Sequence, residues 1–285
     1  KQSVGKSHES YYINNKQWAL AIDAASQTAC YREDLIPSYP SNWNALLDLA
    51  KNNRVLWPLK PVHAISSFYS VYNNITTELI PDQKKFIDKN FGVETLTMMK
   101  AVSKELITDC LTMDPIQTAE LMTETNDFFY CPYIYGFSNY SRKNYRKYIL
   151  KYIDVINLSG KGPAGTHLGG TGIAVSNVSK NKDLAIEYAF WIASAECQKS
   201  LFYESGGQPG NSVAWEDDKI NEETNNFFRG TRKTLDLAWV RPRHNGYMKF
   251  QDESGNLINE YLQLEIKAES ICEKLIDMYN ESIEI

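Results

Sequence analysis

Residues 169–210 read GGTGIAVSNVSKNKDLAIEYAFWIASAECQKSLFYESGGQPG. Gly169, Gly170 and Gly172 lead into Ile173-Ala174-Val175, a short apolar run that predicts a strand over Ile173–Ser176. Glycines just before a buried strand let a second backbone or a ligand come close. A polar turn follows. The spacing then predicts a helix over Asp183–Ala193, with Leu184, Tyr188, Trp191 and Ile192 as its apolar stripe. A second glycine loop, Gly206-Gly207-Gln208-Pro209-Gly210, closes the stretch. A strand passing through glycines into an amphipathic helix is an α/β unit.

The same alternation extends outward. Gln17–Ile22 reads as a buried strand ending at Asp23, and Pro37 to Pro40 as a turn. Ser41 caps a predicted helix over Asn42–Lys51, with Trp43, Leu46, Leu47 and Ala50 on one face. A strand over Arg54–Leu59 and a helix over Val62–Tyr72 come next. Val93–Leu111 reads as a longer amphipathic helix, Pro115–Thr123 as another, and Phe128–Tyr135 as an aromatic strand stopped by Gly136. Gly160–Gly172 reads as a loop, and the tail from Leu257 to about Ser282 as helical.

The chain has 285 residues, enough for two domains, with ordinary globular composition: 43% hydrophobic and 23% charged. Its net charge of −5 argues against a nucleic-acid partner, which needs a basic face. No apolar run reaches the length of a bilayer span, and the opening residues carry no apolar export signal. The five cysteines form no CxxC pair and the four histidines share no ligand spacing, so no metal site is expected. Eighteen tyrosines and six tryptophans suit a wet, half-apolar cleft, since each offers a flat face and a polar tip. Gly160-Lys161-Gly162-Pro163-Ala164-Gly165 fits the dinucleotide pattern GxGxxG, but Pro163 and the further glycines leave no helix to hold a phosphate, so no cofactor is expected. No Walker loop, GxSxG or HExxH occurs, and Asp217-Asp218 reads as a solvated turn.

Taken together, residues 169–210 resemble the signature region of family 1 extracellular solute-binding proteins, the ligand-capturing subunits of ABC importers. The resemblance continues through Gln17–Asp23, Tyr31-Arg32-Glu33-Asp34-Leu35, Trp43, Tyr130–Gly136 and Arg241-Pro242-Arg243-His244-Asn245-Gly246-Tyr247. It implies an α/β, two-lobe periplasmic-binding-protein-like fold with hinge strands and a ligand in the cleft between the lobes. Residues 1–22 would be a remnant of the first lobe and the hinge entry, and 23–158 the second lobe. Residues 159–205 would return to the first lobe, and 206–285 would pack on both. Family members begin with several βα units before the first hinge crossing, so the resemblance implies a first lobe truncated at its N-terminal side, with an exposed apolar sheet edge.

The ligand contacts implied by matching positions are Asp23, Gln27, His63, Tyr135, Gly169, Gly170, Thr171, Arg243 and Tyr247. They combine a carboxylate, an amide and one fork donor with aromatic faces and backbone amides. The implied partners are a small polar, sugar-like solute and a membrane permease, with a periplasmic or cell-surface location and no catalysis. The alternative is an enzyme acting on a small molecule on a similar scaffold, since fold does not fix function.

Overall fold

A computed structural model describes residues 2–76, 86–160 and 163–284. Its organising element is one long strand. A small hairpin of β1 (Tyr12–Ile13) and β2 (Lys16–Gln17) leads into β3, which runs from Leu20 to Tyr31. The strand expected to end at Asp23 therefore continues to Tyr31. The residues beyond Asp23, Ala-Ala-Ser-Gln-Thr-Ala-Cys-Tyr, show no alternation because most of them are buried on both faces.

Strand β3 changes partners along its length. Leu20 through Ser26 pair antiparallel with β6 (Leu168–Ile173). From Gln27 onward it pairs with β4 (Tyr130–Tyr135), and Ala29–Tyr31 pair with β5 (Lys151–Ile153) on the other edge. The order of the main sheet is β4-β3-β5.

Alternation along this sheet sorts side chains into two cores. Ala29, Tyr31, Tyr133, Ile153, Val55 and Trp57 enter one core. Cys30, Ile134, Tyr152 and Leu56 enter the other. The first core is closed by α1 (Trp43–Lys51), α2 (Pro61–Ile75) and α3 (Lys89–Ser103). Two long C-terminal helices, α12 (Tyr247–Gln263) and α13 (Ala268–Ile283), complete it. The second core is covered by α4 (Pro115–Glu124) together with α8 (Ser212–Glu216), α9 (Asp218–Glu223), α10 (Phe227–Gly230) and α11 (Arg232–Asp236). The result is a three-layer arrangement with the sheet in the middle. All five cysteines are buried and free.

Several local expectations shift. The cap of α1 is Asn42, whose side chain accepts from the Ala45 amide at 3.0 Å, and not Ser41. Arg54–Leu59 makes only a bridge at Val55, to Tyr130. The helix expected over Val93–Leu111 stops at Ser103, and a separate 3-10 turn spans Thr108–Leu111. Helix α4 starts where Pro115 suits the first turn, and Asp114 with Gln117 forms a capping box.

The region around β6 is different in character. Among the described residues its ladder partner is β3, and α5 (Lys182–Ile192) beside it buries only Ala189. The predicted apolar stripe of α5 faces outward, with Leu184 68% and Tyr188 51% exposed; Phe190 is 63% and Trp18 59% exposed. An open groove of about 460 Å³ runs here, lined by Trp18, Leu20, Ile173, Val175, Ile186 and Phe190. The groove leaves an apolar surface exposed between residues 173–175 and α5. Helices α6 (Ala195–Lys199) and α7 (Leu201–Glu204) continue from α5.

Candidate functional site

The site lies where β3 exchanges β6 for β4. Four elements converge there: the middle of β3, the end of β4, the first half of α2, and the segment leading into β6. Residues 166–168 are held by a second segment, because the Trp239 amide donates to the Thr166 carbonyl at 2.8 Å and the Leu168 amide to the Trp239 carbonyl at 2.9 Å. This pairing carries Arg241 and Arg243 toward the same place.

A chain of rings forms the wall. His63 of α2 lies 6.2 Å from Tyr135 between centroids, and Tyr135 lies 6.3 Å from His167. His167 is 5.8 Å from both Trp239 and Tyr69, which are themselves 4.7 Å apart. His167 Nδ1 meets Ser66 Oγ at 3.0 Å, while its Nε2 is buried without a partner. Ser26 Oγ, Thr166 Oγ1 and His63 Nδ1 are also buried and unpartnered. Such a concentration at one junction is unusual, because buried polar atoms are normally satisfied.

Electrostatics follow from burial. The Asp23 carboxyl, half-buried on β3, is raised to about 6 by loss of water. It makes no ion pair with a described residue. His63 is lowered to about 4, chiefly by burial, with Asp114 opposing and Lys60 assisting. His167 is lowered to about 3 by burial and by the Arg241 charge. Burial pushes the Tyr135 hydroxyl up to about 12, with Ser66 opposing. The site thus holds two neutral imidazoles and one carboxyl that takes up a proton near pH 6.

The glycines have specific work. Gly169 lies under the Tyr135 ring, and a Cβ there would sit 2.9 Å from it. Gly170 has φ +122°, and a Cβ would meet the Asp23 carbonyl at 2.5 Å. These residues belong to strand β6, not to a loop, and the strand reaches only Ile173.

The structure brings Asp23, His63, Tyr135, Gly169, Gly170, Thr171 and Arg243 to this region. Thr171, Gly170 and Gly169 face Asp23, Ala24 and Ala25 in the ladder, so part of their backbone bonding is used by β3 and not all three amides are free for a ligand. Two expected contacts are corrected. Gln27 is fully buried, donating to Ser67 Oγ at 3.1 Å and accepting from Ser70 Oγ at 2.5 Å, so its amide joins β3 to α2. Tyr247 is 2% exposed, with its hydroxyl donating to Tyr69 Oη at 3.2 Å, and is part of the first core. Sequence reasoning missed Tyr11, Ser66, His167, Trp239 and Arg241. Only Arg241 had a local signal, its i, i+2 relation to Arg243.

At Gly160–Gly165, Lys161 and Gly162 lie outside the described residues. The chain after Gly165 enters strand β6 and not a helix. No group of three or more potential metal-ligating side chains occurs among the described residues. No helix among them is long and apolar enough to cross a membrane.

The backbone is an α/β fold of the two-lobe periplasmic-binding-protein type. It superposes on maltose-bound MalE3 of T. maritima with a TM-score of 0.82 at 14% identity, covering 98% of this chain and 76% of that one. A solute-binding protein of an ABC transporter from Thermotoga lettingae, bound with α-D-tagatose, gives 0.78 at 14% identity, covering 99% and 80%. An ABC substrate-binding protein from Listeria monocytogenes in complex with cycloalternan gives 0.76 at 15% identity, covering 100% and 76%. No family model and no curated protein sequence matches the chain.

Proposed function

We propose that this protein is the solute-binding subunit of an ABC importer, capturing a small polar, sugar-like solute without chemical change. The observation that carries the reading is the partner exchange of β3. One strand pairs with β6 up to Ser26 and with β4 from Gln27. A carboxyl, a ring wall and unpartnered buried polar atoms gather at that step. A small-molecule site needs such a mixture of apolar faces and a few placed polar groups. The likeness to sugar-bound solute-binding proteins supports the same reading.

In this reading β3 is a hinge crossing. Asp23, His63, Tyr135 and Arg243 contact the solute, and β6 gives it a close backbone approach. Closure of the lobes around solute would present a surface to a membrane permease outside the cytoplasm; hinge closure around a ligand is a known device of periplasmic binding proteins. Affinity near micromolar corresponds to about 8 kcal/mol. The test is calorimetric titration of the intact protein against a panel of sugars and polyols, with recovered solute analysed by mass spectrometry. Stoichiometric binding with solute returned intact supports capture. Altered solute would favour an enzyme, and no binding across the panel would refute the reading.

A further inference from the structure

The charge at the site runs against that of the whole chain. Acidic residues outnumber basic ones by 35 to 30 over the sequence. At this junction the charges of Arg241, Arg243 and one carboxyl, Asp23, all act on Tyr11. Arg241 is half-buried, and its Nη1 donates to the Gln251 side chain at 2.9 Å. Arg243 is exposed and places its guanidinium carbon 5.7 Å from the Tyr11 ring centroid. Neither forms an ion pair among the described residues, although Arg32, Arg146, Arg229 and Arg232 all do.

Tyr11 ties the group together. Its hydroxyl feels the Arg243, Asp23 and Arg241 charges, besides its burial. Its ring lies against β6, since a Cβ at Gly172 would come 2.7 Å from it. The Arg241 charge also acts on Tyr135 and His167. It adds to burial in holding Arg243 below its ordinary value. Like charges that act on one another are a cost that an anion between them would relieve. Two guanidiniums against one carboxylate leave a single positive charge, which a monoanion balances and a phosphate dianion exceeds. A guanidinium fork also matches the planar geometry of a carboxylate.

We propose that the solute is an acidic sugar, a uronate-type monoanion, with its carboxylate held by Arg241 and Arg243 and its ring against Tyr11 and Tyr135. Asp23 is then left to accept from a sugar hydroxyl. This rests on the solute-capture reading and narrows it to a substrate class.

The test compares ligands that differ only in charge. The intact protein is titrated calorimetrically with D-glucuronate, D-galacturonate, their methyl esters, glucose and glucose 6-phosphate, at low and high salt. The expected result is a uronate preference over its own ester of at least tenfold, weakening with salt. Arg243→Gln should collapse that preference. Arg243 is exposed, so the variant leaves the cores untouched, and its melting curve verifies folding. Arg241→Gln provides the second reading. Equal binding of acid and ester, or a preference that survives both replacements, overturns the proposal while solute capture stands. Tighter binding of the sugar phosphate overturns the carboxylate assignment. No binding of any charged or neutral sugar removes this inference and the solute-capture reading together.

Discussion

The opposed titrations of the site make stability a readout of its geometry. Asp23 is raised from 3.8 to about 6. Between about pH 4 and pH 6 the folded protein therefore holds a proton here that the unfolded chain has lost. Stability falls as pH rises through this window. His63 and His167 act the other way, being lowered from 6.5 to about 4 and about 3. In the same window the unfolded chain holds two protons that the folded protein lacks, so stability rises with pH. The balance is roughly one proton, a rise of about 1.4 kcal/mol per pH unit. His244, also lowered, adds to the rise, and Asp154, raised by burial, subtracts from it. Asp23→Asn removes the opposing contribution. The variant should steepen the pH dependence by up to one further proton, gaining about 3 kcal/mol on the wild type between pH 4 and pH 7. His63→Gln should flatten it. Urea unfolding at half-unit steps from pH 4.5 to 7 measures both slopes. Parallel profiles for Asp23→Asn and wild type would show that the carboxyl is not desolvated at the β3 step, and the electrostatic picture of the site would fail with it.

Other consequences are independent of this one. Arg32 is fully buried and makes five hydrogen bonds, to both Asp34 oxygens, the Met122 and Thr125 carbonyls and Asn126; Arg32→Met leaves the two carbonyls unpaired and should cost about 1–3 kcal/mol, read from the urea midpoint. Leu184→Glu with Phe190→Lys, on the outward face of α5, should reduce binding of an apolar-sensitive dye and self-association in sedimentation, with stability changed by no more than about 0.5 kcal/mol. Asp23→Ala and Arg243→Ala should each weaken solute binding by roughly tenfold to a hundredfold in calorimetry, since each leaves a ligand polar group unpaired. If neither changes the affinity for a solute that does bind, the site assignment is wrong.

What the sequence disclosed depended on whether a segment meets one environment or two. Helices α2 and α4 were legible because their start signals are local: Pro61 and Pro115 sit in first turns, and Asp114 caps the second. Strand β4 was legible because it is short, aromatic and ends at a glycine. Strand β3 was legible only to Asp23, since burial on both faces erases the alternation that marks a strand. Strand β6 looked like a loop because its glycines serve the Tyr135 and Tyr11 rings, which lie far away in sequence. Of the site, Asp23 and Tyr135 stood at visible strand ends. His167 and Trp239 did not, because they are joined by a bridge between segments with no pattern of their own.

The misreadings and the site share a cause. A strand that pairs with β6 through Ser26 and with β4 from Gln27 sets two ladders end to end. There the backbone carries Asp23 into a half-buried place and Ser26 and Gln27 into a buried one. Gln27 is satisfied by α2, through Ser67 and Ser70, and so fixes the β4 side of the step. Ser26 Oγ is not satisfied, and Asp23 carries no ion pair among the described residues. The polar residue beyond the step is locked, while those before it are left with bonding capacity. A ligand that touches both Asp23, in the β6 ladder, and Tyr135, at the end of β4, spans that step. On the proposed function, its binding energy is then available to favour one relative placement of the two sides over another, because only contacts that differ between two states can shift their populations.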